Sequence, residues 1–181
     1  MKMLVQRTPQ GSEQPYNLAD VKLYLRVDHG VEDAVIANAA SSAAAELEHF
    51  AQIALLSTTI RATILNPNCD ADFRLPVGPV DQSNSPSVSV DGIAFTDFEF
   101  VSGIRPLIFW GESWSNLRPT KLEIEYTAGF GGSVADIPND IVQAVMDQTA
   151  LHYDCRGLEE ARLLTSAHFA RIGARYRGVL T

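Results

Sequence analysis

The sequence of 181 residues contains only two cysteines, Cys69 and Cys155, and no apolar run long enough to cross a membrane. Two cysteines so far apart make neither a disulfide framework nor a zinc knuckle, so we expect two free thiols. A membrane span needs about 20 apolar residues, and the first residues lack the apolar stretch typical of a secretion signal. These absences predict a soluble protein that is made in the cytoplasm.

Basic residues are also scarce, because 14 Lys and Arg stand against 22 Asp and Glu and give a net charge of -8. Broad nucleic-acid binding needs clustered Lys and Arg to neutralise phosphates, so this composition argues against a general nucleic-acid-binding surface. The charge is unevenly distributed: the residues from Arg156 onward carry +3, and the first 155 residues carry -11. The C-terminus is the basic end of an acidic protein.

Two segments in the first third of the chain have helical periodicity. In NLADVKLYLRV, Leu18, Val21 and Leu25 lie on one face of a helix, and Asn17 is suited to cap it. The following segment, VEDAVIANAASSAAAELEHFAQIAL, repeats apolar residues at spacings of three and four and predicts the longest helix. Its alanine-rich middle, AASSAAA, predicts the close approach of another helix or of a neighbouring subunit.

The pattern changes at Ser57, where short alternating runs begin with TTIRATI and continue to KLEIEYT. Asp91-Gly92, between two such runs, predicts a two-residue hairpin turn. Helical periodicity returns after Pro138. The predicted fold class is α+β, with a helical core of about four helices and an antiparallel β-region inserted between the second and third helices.

We expect one domain over residues 1–181. Its predicted parts are a flexible N-terminal arm (1–16), the first half of the helical core (17–56), a β-rich insertion (57–128), the second half of the helical core (137–170) and a C-terminal tail (171–181).

The stretch IEYTAGFGGSVADIPND has the order of parts found in phosphate-binding loops, namely a strand, a glycine-rich turn and a helix. No Lys follows the glycines, and Val134 to Ile137 separate them from the helix, so the stretch matches neither a dinucleotide fingerprint nor a P-loop. We therefore interpret Gly129, Gly131 and Gly132 as a hinge loop between the last strand and the third helix.

The run HYDC, from His152 to Cys155, contains reactive side chains. Adjacent helical residues point about 100 degrees apart, so these side chains cannot converge on one reacting atom without partners from elsewhere. A nucleophilic Cys155 would need a positioned base, and the other histidines stand at no motif spacing. His152 is interpreted as a hydrogen-bonded, partly buried residue, and no catalytic, cofactor-binding or metal-binding residue is predicted.

Three further features are interpreted as surface or core. Trp110 and Trp114 are expected in the core of the β-region, with a contact role for Trp114 as the alternative. Paired carboxylates are expected on solvated surfaces because their spacing matches no metal-binding loop. These pairs are Glu46 and Glu48, Glu123 and Glu125, and Glu159 and Glu160.

The tail ARIGARYRGVLT carries three arginines and one tyrosine. Arg and Tyr are enriched at protein–protein contacts, so this basic tail predicts a docking surface for an acidic partner. The residues alone leave open a frayed, solvated terminus as the alternative.

The order of these segments resembles the head–tail connector, or adaptor, proteins of long-tailed bacteriophages and phage-like particles. The resemblance extends from Asn17 to Gly157. It rests on a first helix ending in LRVD, the acidic ED that opens the second helix, LPVGPV and VDGIAF in the β-region, and YTAG followed by the helix IPNDIVQAVMDQTALHY.

This resemblance implies a non-enzymatic virion protein of the neck, without a cofactor, in a ring of about twelve copies beneath the portal. The ring would join the head to the tail or to a stopper protein, and DNA would pass through its lumen without specific binding. The candidate ring-interface residues are Ala39, Ala43 and Ala44, with the edges of the β-region. The candidate portal-docking residues are Arg171, Arg175, Tyr176 and Arg177. The alternative function is a small enzyme or ligand-binding domain that uses the loop Gly129–Asp136 with His152 or Cys155.

Overall fold

The computed structural model describes residues 2–68, 70–156 and 165–177. The chain divides into two units. We call residues 1–12 and 57–130 the β unit, and residues 13–56 and 131–181 the helical unit. Four α-helices and two antiparallel sheets are found in the described residues, which confirms the α+β class.

The β unit consists of two antiparallel sheets. One sheet has the strand order β1-β2-β8-β4-β5, and the other has the order β3-β7-β6. In the described residues the strands are β1 (Lys2–Pro9), β2 (Thr58–Leu65), β3 (Asp72–Arg74), β4 (Ser87–Val90), β5 (Ile93–Ala94), β6 (Phe98–Val101), β7 (Leu107–Trp110) and β8 (Lys121–Ala128).

The five-stranded sheet has one buried apolar face and one exposed polar face. Ile60 and Ile64 of β2 and Ile124 of β8 are fully buried on the inner face. On the outer face Arg61 and Glu125 are exposed and form an ion pair of 2.6 Å. Side chains alternate between the two faces of a strand, so the period-two pattern of the sequence sets which face is buried.

The hairpin predicted at Asp91-Gly92 is confirmed, because it joins β4 to β5. Asp91 and Gly92 have φ angles of 50° and 86°, the left-handed values that a tight hairpin turn requires. The Asp91 carboxylate also accepts hydrogen bonds from the Thr120 hydroxyl at 2.6 Å and from the Lys121 amide at 2.8 Å. These bonds fix the turn to the start of β8.

Large aromatic side chains complete the core of the β unit. Trp114 is 2% exposed and stacks on Trp110 with ring centroids 4.3 Å apart, which confirms its predicted core position. Tyr126 accepts a hydrogen bond from the Val77 amide and donates one to the Val77 carbonyl, each at 3.1 Å. Burial raises the pKa of Tyr126, so its hydroxyl stays neutral and keeps both bonds.

The prediction of a flexible arm over residues 1–16 is wrong for residues 2–9. These residues form β1, which pairs antiparallel with all of β2, from Lys2 opposite Leu65 to Pro9 opposite Thr58. The arm was inferred from Pro9, Gly11 and the polar composition, but Pro9 ends the strand instead of excluding it. β1 pairs with a strand nearly sixty residues away, a contact that local composition does not report.

The helical unit contains four helices in the described residues: α1 (Leu18–Leu25), α2 (Asp33–Ala51), α3 (Asn139–Asp154) and α4 (Ala167–Arg177). Asn17 caps α1 as predicted, because its side chain accepts a hydrogen bond of 2.9 Å from the Ala19 amide. A short 3₁₀ turn, Val134–Asp136, precedes α3 and is closed by reciprocal hydrogen bonds between Ser133 and Asp136.

Helix α2 is the centre of the helical unit, and α1, α3 and α4 all pack against it. Ile36, Ala40 and Leu47 are fully buried and lie at the three- and four-residue spacings of one helical face. Gly173 of α4 comes so close that a Cβ there would lie 2.4 Å from Cδ1 of Phe50. Glycine at position 173 therefore permits the close approach of α4 to α2.

The predicted boundary between helical core and tail at residue 171 is wrong, because α4 continues to Arg177. Ile172 is 4% exposed and belongs to the core together with Phe169. The high arginine content suggested a solvated tail. The residues that decide the structure are the apolar ones, which recur with helical spacing and pack against α2 and α3.

Candidate assembly surfaces

The four predicted docking residues lie on helix α4. Arg175 forms an ion pair with Asp140 of α3, and the same carboxylate accepts a hydrogen bond of 3.1 Å from the Tyr176 hydroxyl. Arg171 is exposed and, among the described residues, forms no ion pair. Arg177 is also exposed and also forms no ion pair among these residues, but its guanidinium lies 5.6 Å from the ring centroid of Phe50. Arg171 is therefore the arginine whose charge is least engaged within the described part of the chain.

A second carboxylate on α3 joins three helices. Asp147 accepts hydrogen bonds from Tyr24 of α1 at 2.5 Å and from Gln143 at 2.9 Å, and its other oxygen lies 2.6 Å from Nδ1 of His168 on α4. Burial raises the pKa of Asp147, but the hydrogen bonds from Tyr24, His168 and Gln143 outweigh it and hold the pKa below its ordinary value. The sequence analysis missed Asp147.

The seven-residue spacing of Asp140 and Asp147 gives the signal that could have identified them. Asp140 contacts Arg175, and Asp147 contacts His168. His168 and Arg175 are also seven residues apart along the chain. A spacing of seven returns to the same helical face after two turns. The order of the two contacts is reversed between the helices, so α3 and α4 run antiparallel and two carboxylates join them.

The alanines predicted at a ring interface have different positions. Ala43 is 0% exposed and Ala44 is 2% exposed within the single chain, whereas Ala39 is half-buried. Ala43 and Ala44 are thus covered within the single chain, and a ring interface at the three alanines stays a prediction. Of the two explanations for the alanine-rich middle, the close approach of another helix is the one observed.

The glycine loop turns the chain from one unit to the other. Gly129 has a φ of 136°, and its amide donates a hydrogen bond of 2.9 Å to the Pro79 carbonyl. The division between the units falls between Phe130 and Gly131. A Cβ on Gly131 would lie 2.4 Å from Cβ of Asp136, so glycine permits the tight turn before α3. Motion at this hinge stays a prediction.

His152 is hydrogen-bonded and partly buried, as predicted. Its Nε2 lies 3.2 Å from Oε1 of Glu46 and 3.3 Å from Nε2 of Gln148. These residues adjoin a surface groove of about 670 Å³ on the helical unit. The groove is lined by Glu46, His49, Phe50, Gln52, His152, Thr165, Phe169, Ala170 and Arg177.

Cys155 ends α3, and its amide donates to the Leu151 carbonyl in a capping bond of 3.1 Å. The described residues contain no group of three His, Cys, Asp or Glu side chains placed to hold a metal ion. Within the same residues, no helix has the length and apolar character needed to span a membrane. The predictions for Cys69, Glu159 and Glu160 lie outside the described residues.

Comparison with known proteins gives matches at the level of structure. Neither a family model nor a curated protein matches the chain. A solved structure from the neck of an empty gene transfer agent (GTA) particle, with C6 symmetry, is 26% identical over 98% of this chain and 97% of that chain, with a TM-score of 0.77. A chain in the virion of the native GTA particle is 25% identical over 97% of both chains, with a TM-score of 0.76.

The chain has the fold of these neck and virion chains, which supports its resemblance to the head–tail connector proteins. A further structure, the neck of the native GTA particle with C12 symmetry, covers 100% of this chain and 97% of that chain at a TM-score of 0.75 and shares the fold at 23% identity. The family resemblance inferred from the sequence is thus confirmed by a likeness that includes both units. The enzyme alternative has no support, since the matched chains are parts of a particle neck and virion.

Proposed function

We propose that this chain is a structural protein of the neck of a phage-like particle, where it forms a ring that joins the DNA-filled head to the tail or to a stopper protein. The observation that carries the proposal is the likeness to a GTA neck protein over 98% of the chain at a TM-score of 0.77. Both units take part in this likeness, so the whole chain and not only one unit has the architecture of a neck protein.

The ring has about twelve copies and closes through one repeated contact between unlike surfaces. Support comes from the rotational symmetry of the matched necks, C6 in one structure and C12 in another. Rotational symmetry above twofold requires each subunit to present two different faces, one to each neighbour. This chain offers two different edges of its five-stranded sheet, β1 and β5.

The ring docks on the portal through the exposed side of α4. Arg171 is exposed on that helix, and Arg175 lies one turn further along on the same side, whereas Arg177, six residues away, lies on another side near Phe50. Guanidinium groups make charge-assisted hydrogen bonds with carboxylates, so an acidic portal surface is the chemistry that α4 fits. Arg175 is held by Asp140 within the chain, and Arg171 therefore has the leading role.

The function is passive with respect to DNA and involves no chemical step. The net charge of -8 opposes adhesion of a polyanion to the ring, which suits a conduit that DNA must cross. The candidate residues of the enzyme alternative on α3, His152 and Cys155, have structural roles. His152 contacts Glu46, and Cys155 caps the end of the helix.

A sedimentation experiment tests ring formation and docking together. The wild-type chain is mixed with the portal ring of the same particle, and the mass added to the portal peak is measured. We expect many copies to bind. Arg171→Glu should weaken binding, whereas Arg118→Glu, the same charge change at an exposed site in the β unit, should leave it unchanged. Equal binding by all three chains would remove α4 from the docking surface.

The same experiment requires point substitutions, because deletion of the end of α4 would also disturb the fold. A chain ending at Ala170 would lose Ile172, which is 4% exposed, and the close packing of Gly173 on Phe50. Its failure to bind would report on folding as much as on docking. If wild-type chain adds no mass to the portal, even at high concentration, the proposed connector function is contradicted.

The glycine loop is proposed to adjust when the ring assembles. Gly129, with its φ of 136°, is a position where backbone rotation meets little steric resistance. Hydrogen exchange of the amides from 129 to 133 should be faster in the free chain than in the assembled ring. Equal exchange rates in the two states would contradict a hinge role.

A further inference from the structure

One row of apolar side chains crosses the whole five-stranded sheet. The registers align Met3, Ile64, Leu122, Val90 and Ile93 in a single line, one residue from each strand. The three inner members are buried. The two at the ends are not: Met3 is 46% exposed on β1 and Ile93 is 74% exposed on β5. The buried row thus continues as apolar surface at both edges of the sheet.

The two edges are open in the described part of the chain. The strand order places β1 at one end and β5 at the other, and no described strand pairs with their outer sides. β1 is eight residues long and has no bulge, and its single proline, Pro9, stands at its end. Bulges and prolines within a strand usually protect an edge from pairing, and β1 lacks both. An open edge of this length, with Met3 and also Leu4 exposed, is suited to pair with another chain.

We propose that the β1 edge of one copy packs against the β5 edge of the next copy in the ring, so that Met3 and Ile93 cover each other. This inference rests on the proposed ring. A second copy is the occupant because both edges are open in the described residues and each ends the same row in an exposed apolar side chain, Met3 on β1 and Ile93 on β5. The edges are different surfaces of the same chain, as a head-to-tail ring requires.

The strand directions make the contact more specific. Every strand of the sheet is antiparallel to its neighbours, so β1 and β5, the first and fifth strands, run in the same direction. Joining β5 to the next β1 in register therefore gives a parallel strand pair. β5 has only two residues, so the side chains of Met3 and Ile93 contribute more to this contact than the backbone does.

Disulfide trapping in assembled rings tests the contact. In a background with Cys69→Ser and Cys155→Ser, Met3→Cys and Ile93→Cys are combined, and the chain is assembled with the portal and then oxidised. A head-to-tail contact should give a ladder of covalent dimers, trimers and larger products on a denaturing gel. Each single-cysteine variant should give no ladder. The matched control combines Leu4→Cys, on the opposite face of β1, with Ile93→Cys, and should give none either.

Charge exchange gives a second test that does not depend on oxidation. Met3→Glu places a carboxylate at the proposed contact and is expected to weaken assembly by about tenfold or more. Adding Ile93→Lys should restore assembly, because the two new charges then face each other. Both sites are exposed in the single chain, so its stability should change by no more than about 0.5 kcal/mol.

The outcomes separate this inference from the proposed function. Rings that form without a ladder, and that tolerate Met3→Glu, overturn the edge contact and leave the connector function standing. If rings form and only the Leu4→Cys, Ile93→Cys control gives a ladder, the opposite face of β1 lies at the contact. This result also overturns the proposed Met3–Ile93 contact. Absence of wild-type rings, with and without portal, overturns both.

Discussion

The β unit and the helical unit are held together in different ways. In the β unit, alternation along β2 and β8 assigns each side chain to the inner or outer face, and the inner isoleucines are fully buried. In the helical unit, small residues allow close helix packing, and the carboxylates of Asp140 and Asp147 fix α4 against α3. The first arrangement follows a local pattern, whereas the second depends on pairs of residues distant in sequence.

The two units also present different surfaces for assembly. The β unit leaves two open sheet edges with apolar ends, Met3 and Ile93. The helical unit leaves a basic helix, α4, with Arg171 exposed. A ring contact and a portal contact can thus be assigned to different units, and substitutions can test each without the other.

The largest expected effect is removal of the end of α4. A chain that stops at Ala170 loses Ile172 from the core, and loss of one buried isoleucine side chain alone typically costs about 2 to 5 kcal/mol in the free energy of unfolding. Urea denaturation measures this loss. Arg171→Ala, an exposed change in the same helix, should change the free energy by no more than about 0.5 kcal/mol. An equally stable truncated chain would show that α4 is not part of the core.

A substitution at Ala43 distinguishes intrachain packing from a ring interface. Ala43→Leu inserts a larger side chain into the fully buried side of α2 and is expected to lower stability by about 1 to 3 kcal/mol. Ser42→Leu, at the adjacent exposed position, should be nearly neutral. Thermal unfolding of the unassembled chain compares the two. If Ala43→Leu left the free chain stable and blocked only ring formation, the alanine face would be an interface after all.

The network at Asp147 should weaken when its charge is removed. Three donors, from Tyr24, Gln143 and His168, converge on this carboxylate, and Asp147→Asn would place an amide N–H group against one of them. Loss of hydrogen bonds to a charged group predicts a cost of about 1.5 to 3 kcal/mol at neutral pH. Chemical denaturation of wild type and variant gives the value. If Asp147→Asn leaves the free energy of unfolding unchanged, the network contributes nothing to the packing of α4 against α3.

The same network predicts a pH dependence. The pKa of Asp147 is lowered in the folded chain from its ordinary value of 3.8, so the folded state favours the charged form. The stability it contributes is present above pH 3.8 and is lost as the pH falls through the lowered pKa. The difference in unfolding free energy between wild type and Asp147→Asn should therefore shrink in acid. A difference that grows in acid would mean that the pKa of Asp147 is raised and not lowered in the folded chain.

The smallest expected effect on stability is at Arg171. Arg171→Glu changes an exposed charge and should move the free energy of unfolding by no more than about 0.5 kcal/mol. If stability falls by more than this, Arg171 has a structural contact, and the portal-binding result for this variant must be attributed to folding.

Much of the fold could be predicted from local patterns. The cap at Asn17, the turn at Asp91-Gly92 and the alternation of TTIRATI depend on residues close in sequence, and all three are confirmed. β1 and the end of α4, residues 171–177, are not predicted correctly because their partners are distant: β1 pairs with β2, and α4 packs on α2 and α3. Composition predicts a loose arm and a loose tail, and only tertiary contacts show that residues 2–9 form a strand and residues 171–177 a helix.

The candidate surfaces were less predictable than the fold. Ala43 and Ala44 are small for the sake of intrachain packing, and a sequence cannot distinguish this from packing against a neighbour. Arg175 and Arg171 look alike in sequence, but only Arg175 has a carboxylate partner among the described residues. The apolar row that ends at Met3 and Ile93 requires the register of five strands, which no local pattern gives.

Electron cryo-microscopy of particles from cells that encode this chain would show whether it is a neck protein. We expect a ring of about twelve copies at the neck, between head and tail, into which the β unit and the helical unit both fit. Particles whose neck contains no density for this chain, or chains that occur only outside the particle, would contradict it.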